Sequence, residues 1–486
     1  MRKAGEHKSG GREAEGERSG DGGRARGRGA KRRTGGTAGL GGILRDGLLA
    51  GFDPAALAAE FGTPFYVYDL DLIERRLRAL RDVLPRGFRV AFAVKANPAL
   101  AVLGQLRRCG AGADIASAGE LDAVLRAGFE PGAVAMTGPG KQDRELAAAV
   151  AAGIGFITCE SFGELRRLES IAVGQGRRQR VLLRLAVSED ARLETVRLIG
   201  GADGKFGMPL PDLRAAARYA AASPDLELCG VHAFGASNLR DADQLARHVE
   251  ELVEIGRGVA AEAGVPLRVV DAGGGLGIPY SDGERPLDIA KLGRRLTALR
   301  QGWDADPALG EMTVILEPGR FLVGPAGAYV ARVVDVKGTD KAPVAILDGG
   351  INHAARPALV RAEHRLVVLG GGAAGRGTGA GVTAGATAGA TAGATAADAR
   401  PRPTTVAGPL CTGIDVFTTR QVLPPLHVGD LVAILDMGAY GFTESMPLFL
   451  SRPWPAEVSV RGGLARLTRP RMTPAELLDR QADPGW

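Results

Sequence analysis

The sequence predicts an α/β protein in which a parallel (β/α)8 barrel is followed by a smaller, mainly antiparallel β domain. From about residue 64 to about residue 320, short apolar segments alternate with segments whose apolar residues have helical spacing. This alternation is typical of a parallel sheet covered by helices. Roughly eight strand–helix units in about 250 residues favour a closed barrel over an open sheet. Beyond about residue 325, few helical segments separate the apolar ones, which favours antiparallel pairing.

The individual elements follow from the same patterns. The predicted strands of the alternating part are PFYVYD (64–69), RVAFAVK (89–95), GADIAS (112–117), AVAMTG (133–138), GFITCE (155–160), RVLLRLAV (180–187), CGVHAFGAS (229–237), LRVVDAGGG (267–275) and TVILEPG (313–319). Predicted helices lie at 70–84, 98–108, 119–128, 143–153 and 161–172. The strands predicted in the β domain are AGAYVARVVDVKG (326–338), APVAILDGG (342–350), HRLVVLG (364–370), VAILDMGAYG (432–441) and AEVSVRGG (456–463).

Two segments differ in composition from the rest. Residues 1–40 are rich in Gly, Arg and Glu and nearly free of large apolar residues, which predicts a disordered basic tail. Residues 370–405 contain a Thr-Ala-Gly-Ala repeat with little to bury, which predicts a flexible surface insertion. The expected domains are a barrel at 41–325, whose residues 41–62 are candidates for packing on the second domain, and a β domain at 326–486.

Charge and cysteine content narrow the function classes. The net charge of +6 is that of residues 1–33, which hold 11 Lys/Arg and 5 Asp/Glu, so the rest of the chain is formally neutral. A nucleic-acid-binding surface on the folded part is therefore not indicated. The four cysteines are far apart and form no CxxC pair. This indicates a reducing, cytoplasmic compartment and argues against disulfides or a metal site. No apolar run reaches the length of a membrane span.

Lys95 ends an apolar strand segment, and a buried ammonium is costly unless it is paired or chemically used. Strand alternation places Lys95 on the same face as Ala91 and Ala93, whose small side chains would leave room for a ligand. In such a barrel the site lies at the C-terminal ends of the strands. Taken alone, the segment is better explained by a lysine in an exposed loop.

Two other predicted strand ends carry distinctive residues. DAGGGLG (271–277) places four glycines where backbone N–H groups can bind a phosphate, although any tight turn can be glycine-rich. LEPGR (316–320) supplies Glu317 and Arg320, which an ordinary turn with an ion pair would also contain. Together with Lys95 at one barrel mouth, these residues describe a pyridoxal 5′-phosphate site. Lys95 would form the Schiff base, the glycines would bind the phosphate and Glu317 would pair with the pyridine nitrogen.

A series of motifs resembles the fold-type III pyridoxal-phosphate decarboxylases, which include the diaminopimelate, ornithine and arginine decarboxylases. The motifs are TPFYVYD (63–69), FAVKANP (92–98), DIASAGEL (114–121), KFG (205–207), GGGLGIPY (273–280), EPGR (317–320), GPLCTGID (408–415) and GAYGF (438–442). The diaminopimelate branch is the most similar one, including SRPWPAEV (451–458). The resemblance implies an alanine racemase-like barrel followed by a β domain. It also implies a head-to-tail homodimer with active sites shared between subunits.

The resemblance also implies roles for single residues. The catalytic residues would be Lys95 and Cys411, with Cys411 supplied by the partner subunit to reprotonate the decarboxylated carbon. The cofactor-binding residues would be Lys95, His232, Phe234, Ser237, Gly274, Gly275, Glu317, Arg320 and Tyr440. The substrate-binding residues would be Arg320, Arg356, Thr412 and Asp415. Asp415 and Lys205 match an intersubunit ion pair of the ornithine branch.

Three departures from the diaminopimelate pattern concern the substrate. Phe234 replaces the second histidine of GxHxHIGS, which keeps an aromatic ring but removes the titratable group. Thr412 replaces the acidic residue that follows the cysteine and binds a distal ammonium in the family, and a neutral hydroxyl cannot supply that charge. Val360 replaces the tyrosine of RPALY, although Arg320 and Arg356 are retained and suit a carboxylate.

The sequence therefore predicts decarboxylation of an amino acid or aminoacyl derivative without a free distal ammonium, either free or bound to a carrier protein. One alternative is diaminopimelate decarboxylase proper, which serves lysine biosynthesis. The others are an amino-acid racemase or epimerase, or a non-catalytic regulator that binds the cofactor. A racemase of this fold would have an arginine in place of Glu317, and retention of Lys95 and Cys411 argues against a regulator.

Overall fold

A computed structural model describes residues 40–187, 204–360, 363–369 and 400–483. Eight parallel strands, hydrogen-bonded in chain order, close into a barrel. The last strand pairs with the first, with Leu316 opposite Val90. The barrel strands are Phe88–Ala93, Gly112–Ile115, Val134–Met136, Phe156–Cys159, Gln179–Arg184, Leu226–His232, Val269–Asp271 and Thr313–Leu316. The predicted barrel is thereby confirmed.

Helices surround the barrel, and several of them begin at polar caps. Ser117 and Ser161 each accept a hydrogen bond from the backbone N–H three residues later, which satisfies a free donor of the first helical turn. The helices that follow the barrel strands are Leu100–Arg108, Ala118–Arg126, Asp143–Ala152, Phe162–Gly174, Leu210–Ala222, Ala242–Ala263, Ile289–Asp304 and the short Arg320–Val323. Leu70–Arg81 precedes the first barrel strand and contacts the first and last of these helices, which completes the ring.

The strand Phe65–Asp69 does not belong to the barrel, although the sequence counts it in the alternating series. It pairs antiparallel with Gly327–Thr339 and parallel with Ala456–Arg461. Its first four residues are buried. A strand that is apolar on both faces has the same sequence pattern in the centre of either sheet, so the pattern alone does not assign it.

The second sheet has nine strands and is mainly antiparallel, as predicted. Its strands are Phe65–Asp69, Gly327–Thr339, Ala342–Leu347, Leu366–Leu369, Arg402–Ala407, Val416–Leu423, Leu431–Ile434, Ala456–Arg461 and Leu464–Arg469. The predicted insertion at 370–405 is wrong at its end, because residues 402–405 lie in a strand whose partners are Ala342–Leu347 and Val416–Leu423. The repeat itself and the predicted basic tail, apart from residue 40, lie outside the described residues.

Residues 41–62 cover one face of this sheet. They form a small hairpin, Leu44–Arg45 with Leu48–Leu49, and the helix Pro54–Phe61, which is capped by Asp53. Leu49 and Leu57 are buried in one hydrophobic cluster with residues of the sheet. On the other face, Tyr66 and Tyr329 belong to the same core cluster as the barrel helices. The sheet therefore packs beside the barrel. Among the described helices, none has both the length and the apolar content of a membrane span.

Candidate active site

Lys95 lies two residues beyond its strand, at the C-terminal mouth of the barrel. The strand Phe88–Ala93 ends first, and Val94–Ala96 form one 3-10 turn. The prediction that a strand ends on Lys95 is therefore wrong by two residues, and strand alternation does not determine where its side chain lies. The backbone N–H of Tyr440 donates to the carbonyl of Ala96 at 2.8 Å, which joins this turn to a loop that follows a strand of the second sheet.

Asp114, at the end region of the second barrel strand, holds the ammonium of Lys95. The Nζ atom lies 3.2 Å from Oδ2 of Asp114, and the hydroxyl of Thr137 donates to Oδ1. The side chain of Lys95 is 44% exposed at the open mouth, whereas that of Asp114 is 1% exposed. Burial lowers the pKa of Lys95, but the charges of Asp114 and Glu317 outweigh this and raise it overall. The free amine is therefore charged and oriented.

His232 and Asp271 are the last residues of two neighbouring strands, Glu317 directly follows the next strand, and the three side chains meet inside the barrel mouth. All three are buried, and one ligand atom of each lies within 4.8 Å of the others. The Nε2 atom of His232 is 3.7 Å from Oε2 of Glu317. Within the described chain, Glu317 Oε1, Asp271 Oδ2 and both ring nitrogens of His232 have no hydrogen-bond partner. Buried polar atoms without partners are costly, which makes this cluster a candidate for binding a ligand.

The two carboxyl groups of this cluster differ in protonation. Burial raises the pKa of Asp271 well above its usual range, and the charge of Glu317 adds to this effect. Burial also opposes ionisation of Glu317, but His232 and Lys95 outweigh it and lower its pKa to about 2. Glu317 is therefore the ionised member of the pair, and a ligand N–H is the complementary group for its free oxygen.

The glycine turn after strand Val269–Asp271 approaches other backbone closely. A Cβ atom on Gly274 would lie 2.5 Å from the carbonyl oxygen of Glu317, and one on Gly275 would lie 2.5 Å from that of Ala236. Gly275 also has a φ of +95°, which favours glycine. Among the hydrogen bonds of the described chain, none uses the N–H groups of residues 274–276. These groups are available to a phosphate.

Arg320 lies beside this turn and donates hydrogen bonds to two nearby hydroxyl groups. Its guanidinium donates to the hydroxyl of Tyr280 and, at 3.4 Å, to Oγ of Ser237. Its Cζ atom lies 4.8 Å from the centroid of the Tyr440 ring. Arg320 is buried, so its positive charge is directed at this small set of groups.

Phe234 lies against the same turn. Its Cδ2 atom is 3.1 Å from the position of a Cβ on Gly273, and its Cε2 atom is 3.6 Å from that on Gly274. The Phe234 side chain is half-buried beside the glycine turn. This position suits stacking on a flat ligand ring.

Arg356 reaches the site from the second sheet. Its Cζ atom lies 4.5 Å from the centroid of the Tyr440 ring, which Arg320 also contacts. Its guanidinium is paired with Glu444, with 2.7 Å between Nη1 and Oε2. The Arg356 guanidinium therefore already has a carboxylate partner within this chain.

The loop 408–415 carries the remaining predicted residues. Cys411 is exposed and Thr412 half-buried. Asp415 is 2% exposed, and its two oxygens accept the backbone N–H groups of Ile351 and Leu410, each at 2.7 Å. This environment argues against the predicted roles of Asp415 in substrate binding and in an intersubunit ion pair with Lys205, because its carboxylate is buried and joins two loops of its own chain.

Several residues of the site were missed by the sequence-based prediction. They are Asp114, Asp271, Tyr280 and the buried ion pair Glu160–Arg184. In this pair, Oε1 of Glu160 lies 2.5 Å from Nη1 of Arg184. All but Tyr280 lie at or just after the C-terminal end of a barrel strand. Since such positions surround the mouth of the barrel, a polar residue there is a detectable signal. The position of Tyr280 beside Arg320 depends on the path of a loop.

The geometry fits pyridoxal 5′-phosphate. Glu317 offers an unpaired carboxylate oxygen for a protonated pyridine nitrogen, and the N–H groups of residues 274–276 beside Arg320 suit a phosphate. Lys95 carries a primary amine, the kind of group that attaches such a cofactor. The mouth is thus the site of an enzyme that uses this cofactor to change bonds of an amino compound.

Comparison with known proteins gives the family. Residues 70–324, more than half of the chain, match the family model "Pyridoxal-dependent decarboxylase, pyridoxal binding domain". The chain belongs to this family and is a pyridoxal-phosphate-dependent decarboxylase, which confirms the resemblance, the enzyme class and the cofactor predicted from the sequence.

Individual relatives resemble most of the chain. Diaminopimelate decarboxylase of Methanothermobacter thermautotrophicus is 33% identical over 440 residues, 90% of this chain and 96% of the relative. L-glutamyl-[BtrI acyl-carrier protein] decarboxylase of Niallia circulans is 30% identical over 429 residues, 88% of this chain and 95% of the relative. The crystal structure of diaminopimelate decarboxylase of M. jannaschii with L-lysine has a TM-score of 0.80 at 26% identity, covering 91% of this chain and 97% of that one.

Proposed function

We propose that the protein removes the α-carboxylate of an amino acid or aminoacyl derivative whose distal end carries no free ammonium. The observation that carries this proposal is the residue after Cys411, which is the neutral Thr412. The loop therefore presents a hydroxyl where a carboxylate would be needed to bind a distal ammonium. Val360 and Phe234, which replace a tyrosine and a histidine of the diaminopimelate pattern, support a changed substrate.

In this proposal, the barrel residues bind and orient the cofactor. Lys95 attaches the cofactor, Asp114 positions the lysine amine, and Arg320 with the glycine turn binds the phosphate. Glu317 accepts the N–H of the pyridine ring and stabilises its positive charge. When bound, the cofactor withdraws electron density from the α-carbon of the substrate, which allows carbon dioxide to leave. The ionised Glu317 makes that withdrawal strong, which supports decarboxylation over racemisation.

Reprotonation is assigned to Cys411 of a partner copy. Its exposed position on a loop of the second sheet suits a group that completes the site of another subunit, and the proposed assembly is a cytoplasmic homodimer with shared sites. The thiol would deliver its proton to the substrate carbon from which carbon dioxide has left.

A carrier-bound substrate is one form of the proposal. The relative from Niallia circulans acts, by its name, on a glutamyl group of an acyl-carrier protein. The competing candidate is meso-diaminopimelate, which is favoured by the relatives that are diaminopimelate decarboxylases. The two candidates differ in whether the distal end of the substrate carries an ammonium.

Release of carbon dioxide from a panel of amino acids by the cofactor-loaded protein tests the proposal. The first group of the panel consists of substrates with a free distal ammonium, namely meso-diaminopimelate, lysine and ornithine. The second group lacks that ammonium and consists of glutamate, glutamine and a γ-glutamyl thioester of pantetheine. We expect turnover only in the second group. Efficient turnover of meso-diaminopimelate would contradict the proposal and support the competing candidate.

A further inference from the structure

Arg356 and Glu444 form an ion pair at the border between the barrel mouth and the second sheet. Their Nη1 and Oε2 atoms are 2.7 Å apart, and the side chain of Arg356 is only 13% exposed. The guanidinium also covers one side of Tyr440, whose ring contacts Arg320. The pair therefore lies one aromatic ring away from the arginine beside the glycine turn.

Backbone contacts hold Glu444 in this position. It ends a 3-10 turn at Phe442–Glu444, directly before Ser445. The Ser445 hydroxyl donates to the carbonyl of Gly441 at 2.9 Å and accepts the N–H of Ala355, the residue before Arg356, at 3.0 Å. The two segments are therefore fixed side by side by a contact that involves neither charged group, so the ion pair forms in a prepared geometry.

The ion pair changes what Arg356 can bind. The sequence predicts that Arg320 and Arg356 suit a substrate carboxylate, but Glu444 already occupies one edge of the Arg356 guanidinium. A free distal carboxylate would have to compete with Glu444 for the same cation and would lie beside a like charge. A neutral distal group, such as a thioester or amide carbonyl, carries no such repulsion. It can accept a hydrogen bond from the remaining N–H groups of the guanidinium.

We propose that Glu444 is a specificity-determining residue that neutralises Arg356 and disfavours substrates with a free distal carboxylate. This inference rests on the proposed function and extends it. The distal end of the substrate would then carry neither a free ammonium nor a free carboxylate. The chemical class is an α-amino acid whose distal carboxyl group is present as a thioester, ester or amide. A tethered acyl group of a carrier protein belongs to this class.

Matched substrate pairs test the role of Glu444. Aspartate with asparagine, glutamate with glutamine, and glutamate with its γ-pantetheine thioester differ mainly at the distal group. For the wild-type protein we expect kcat/KM to favour the neutral member by about tenfold or more, the effect of one charged hydrogen bond. Glu444→Gln should reduce this preference to near one or reverse it, mainly through KM for the acidic member. Glu444→Asp, which keeps the charge, should retain the preference.

A second measurement does not depend on turnover. Glutarate and its mono-amide, glutaramate, are titrated into the cofactor-loaded protein by calorimetry, and only Glu444→Gln is expected to gain affinity for glutarate. As a control, Glu254→Gln removes an equivalent charge from the Arg257–Glu254 pair on the helix Ala242–Ala263. It should change neither the kcat/KM preference within a substrate pair nor the relative affinity for glutarate and glutaramate.

The outcomes separate this inference from the proposed function. Decarboxylation only of substrates with a distal ammonium would overturn the proposed function. Turnover of the second group, with equal preference for charged and neutral members in both wild type and Glu444→Gln, would overturn the role of Glu444 alone. If Glu444→Gln does not fold, the wild type and Glu444→Asp still test the role: equal preference for charged and neutral members in both, together with strong glutarate binding by the wild type, would overturn it.

Discussion

The barrel mouth and the 408–415 loop of the second sheet both carry residues expected to act in the reaction, but in opposite environments. At the mouth, Asp114, Asp271 and Glu317 are each 3% exposed or less. In the loop, Cys411 is exposed and Ile414 is 59% exposed. At the mouth, burial and neighbouring charges set the protonation state of each carboxyl group. In the loop, the exposed side chains are available to contact another molecule. In the proposed function, cofactor chemistry and substrate choice therefore depend mainly on different parts of the fold.

Replacing Lys95 should have the largest effect. We expect Lys95→Ala to abolish release of carbon dioxide and the visible absorbance of the bound cofactor, because the attaching amine is lost. Both are measured on purified protein incubated with the cofactor. Lys291→Ala, which changes a surface lysine paired with Asp243, is the matched control and should retain both. Activity in Lys95→Ala would contradict the assignment.

Neutralising Glu317 should affect the reaction and leave binding largely intact. We expect Glu317→Gln to lower kcat by about 10²–10³, because an amide cannot stabilise a protonated pyridine nitrogen as a carboxylate does. Single-turnover kinetics and cofactor absorbance separate the two effects. Glu130→Gln, at the exposed opposite end of the barrel, provides the control. A kcat close to that of the wild type would show that Glu317 does not act on the ring nitrogen.

Mixing two inactive variants tests whether the loop completes a site of another subunit. Lys95→Ala and Cys411→Ser damage different parts of the proposed shared site. After subunit exchange in an equimolar mixture, we expect roughly a quarter of wild-type activity, since half of the dimers then carry one intact site of two. Tagged copies report the exchange. Complete exchange without recovered activity would mean that Lys95 and Cys411 act in the same subunit or that Cys411 is not required.

Two buried histidines on the sheet side should make stability depend on pH. Burial lowers the pKa of His353 and of His364 to about 4, from 6.5. Between these values the unfolded chain binds more protons, so stability is fully present above about pH 6.5. It falls with decreasing pH by about 1.4 kcal/mol per unit for each histidine. Urea unfolding at several pH values measures this slope. His364→Gln should reduce it and the exposed His427→Gln should not, and equal slopes would contradict the prediction.

The smallest effects distinguish two neighbours in the loop. Asp415→Asn should destabilise the protein by about 1–3 kcal/mol, because one buried backbone N–H loses its acceptor. Thr412→Ala should change the free energy of unfolding by less than about 0.5 kcal/mol and should alter substrate preference instead. Chemical denaturation measures the first effect and the substrate panel the second. A stable Asp415→Asn variant with altered substrate preference would support the substrate-binding role predicted from the sequence.

Much of the barrel mouth was predictable because its residues follow strands. The alternation of strands and helices places Lys95, Glu317 and Arg320 at one end of a barrel, and Asp114 and Asp271 share this signal. The sheet strand Phe65–Asp69 was assigned to the wrong sheet because an apolar strand does not indicate its partners. The strand at Arg402–Ala407 was missed because it follows the low-complexity repeat within a few residues and was included in the predicted insertion.

The sequence by itself determined the fold class and the cofactor and indicated Lys95 as the candidate attaching lysine, since these depend on periodicity and on residues at strand ends. Only the tertiary structure decided which charges meet. Residues far apart in the chain, such as Arg356 and Glu444, are paired by the packing of two loops, and Asp415 is buried for the same reason. Because burial and neighbouring charges set the state of an ionisable group, such roles depend on contacts that spacing along the chain does not reveal.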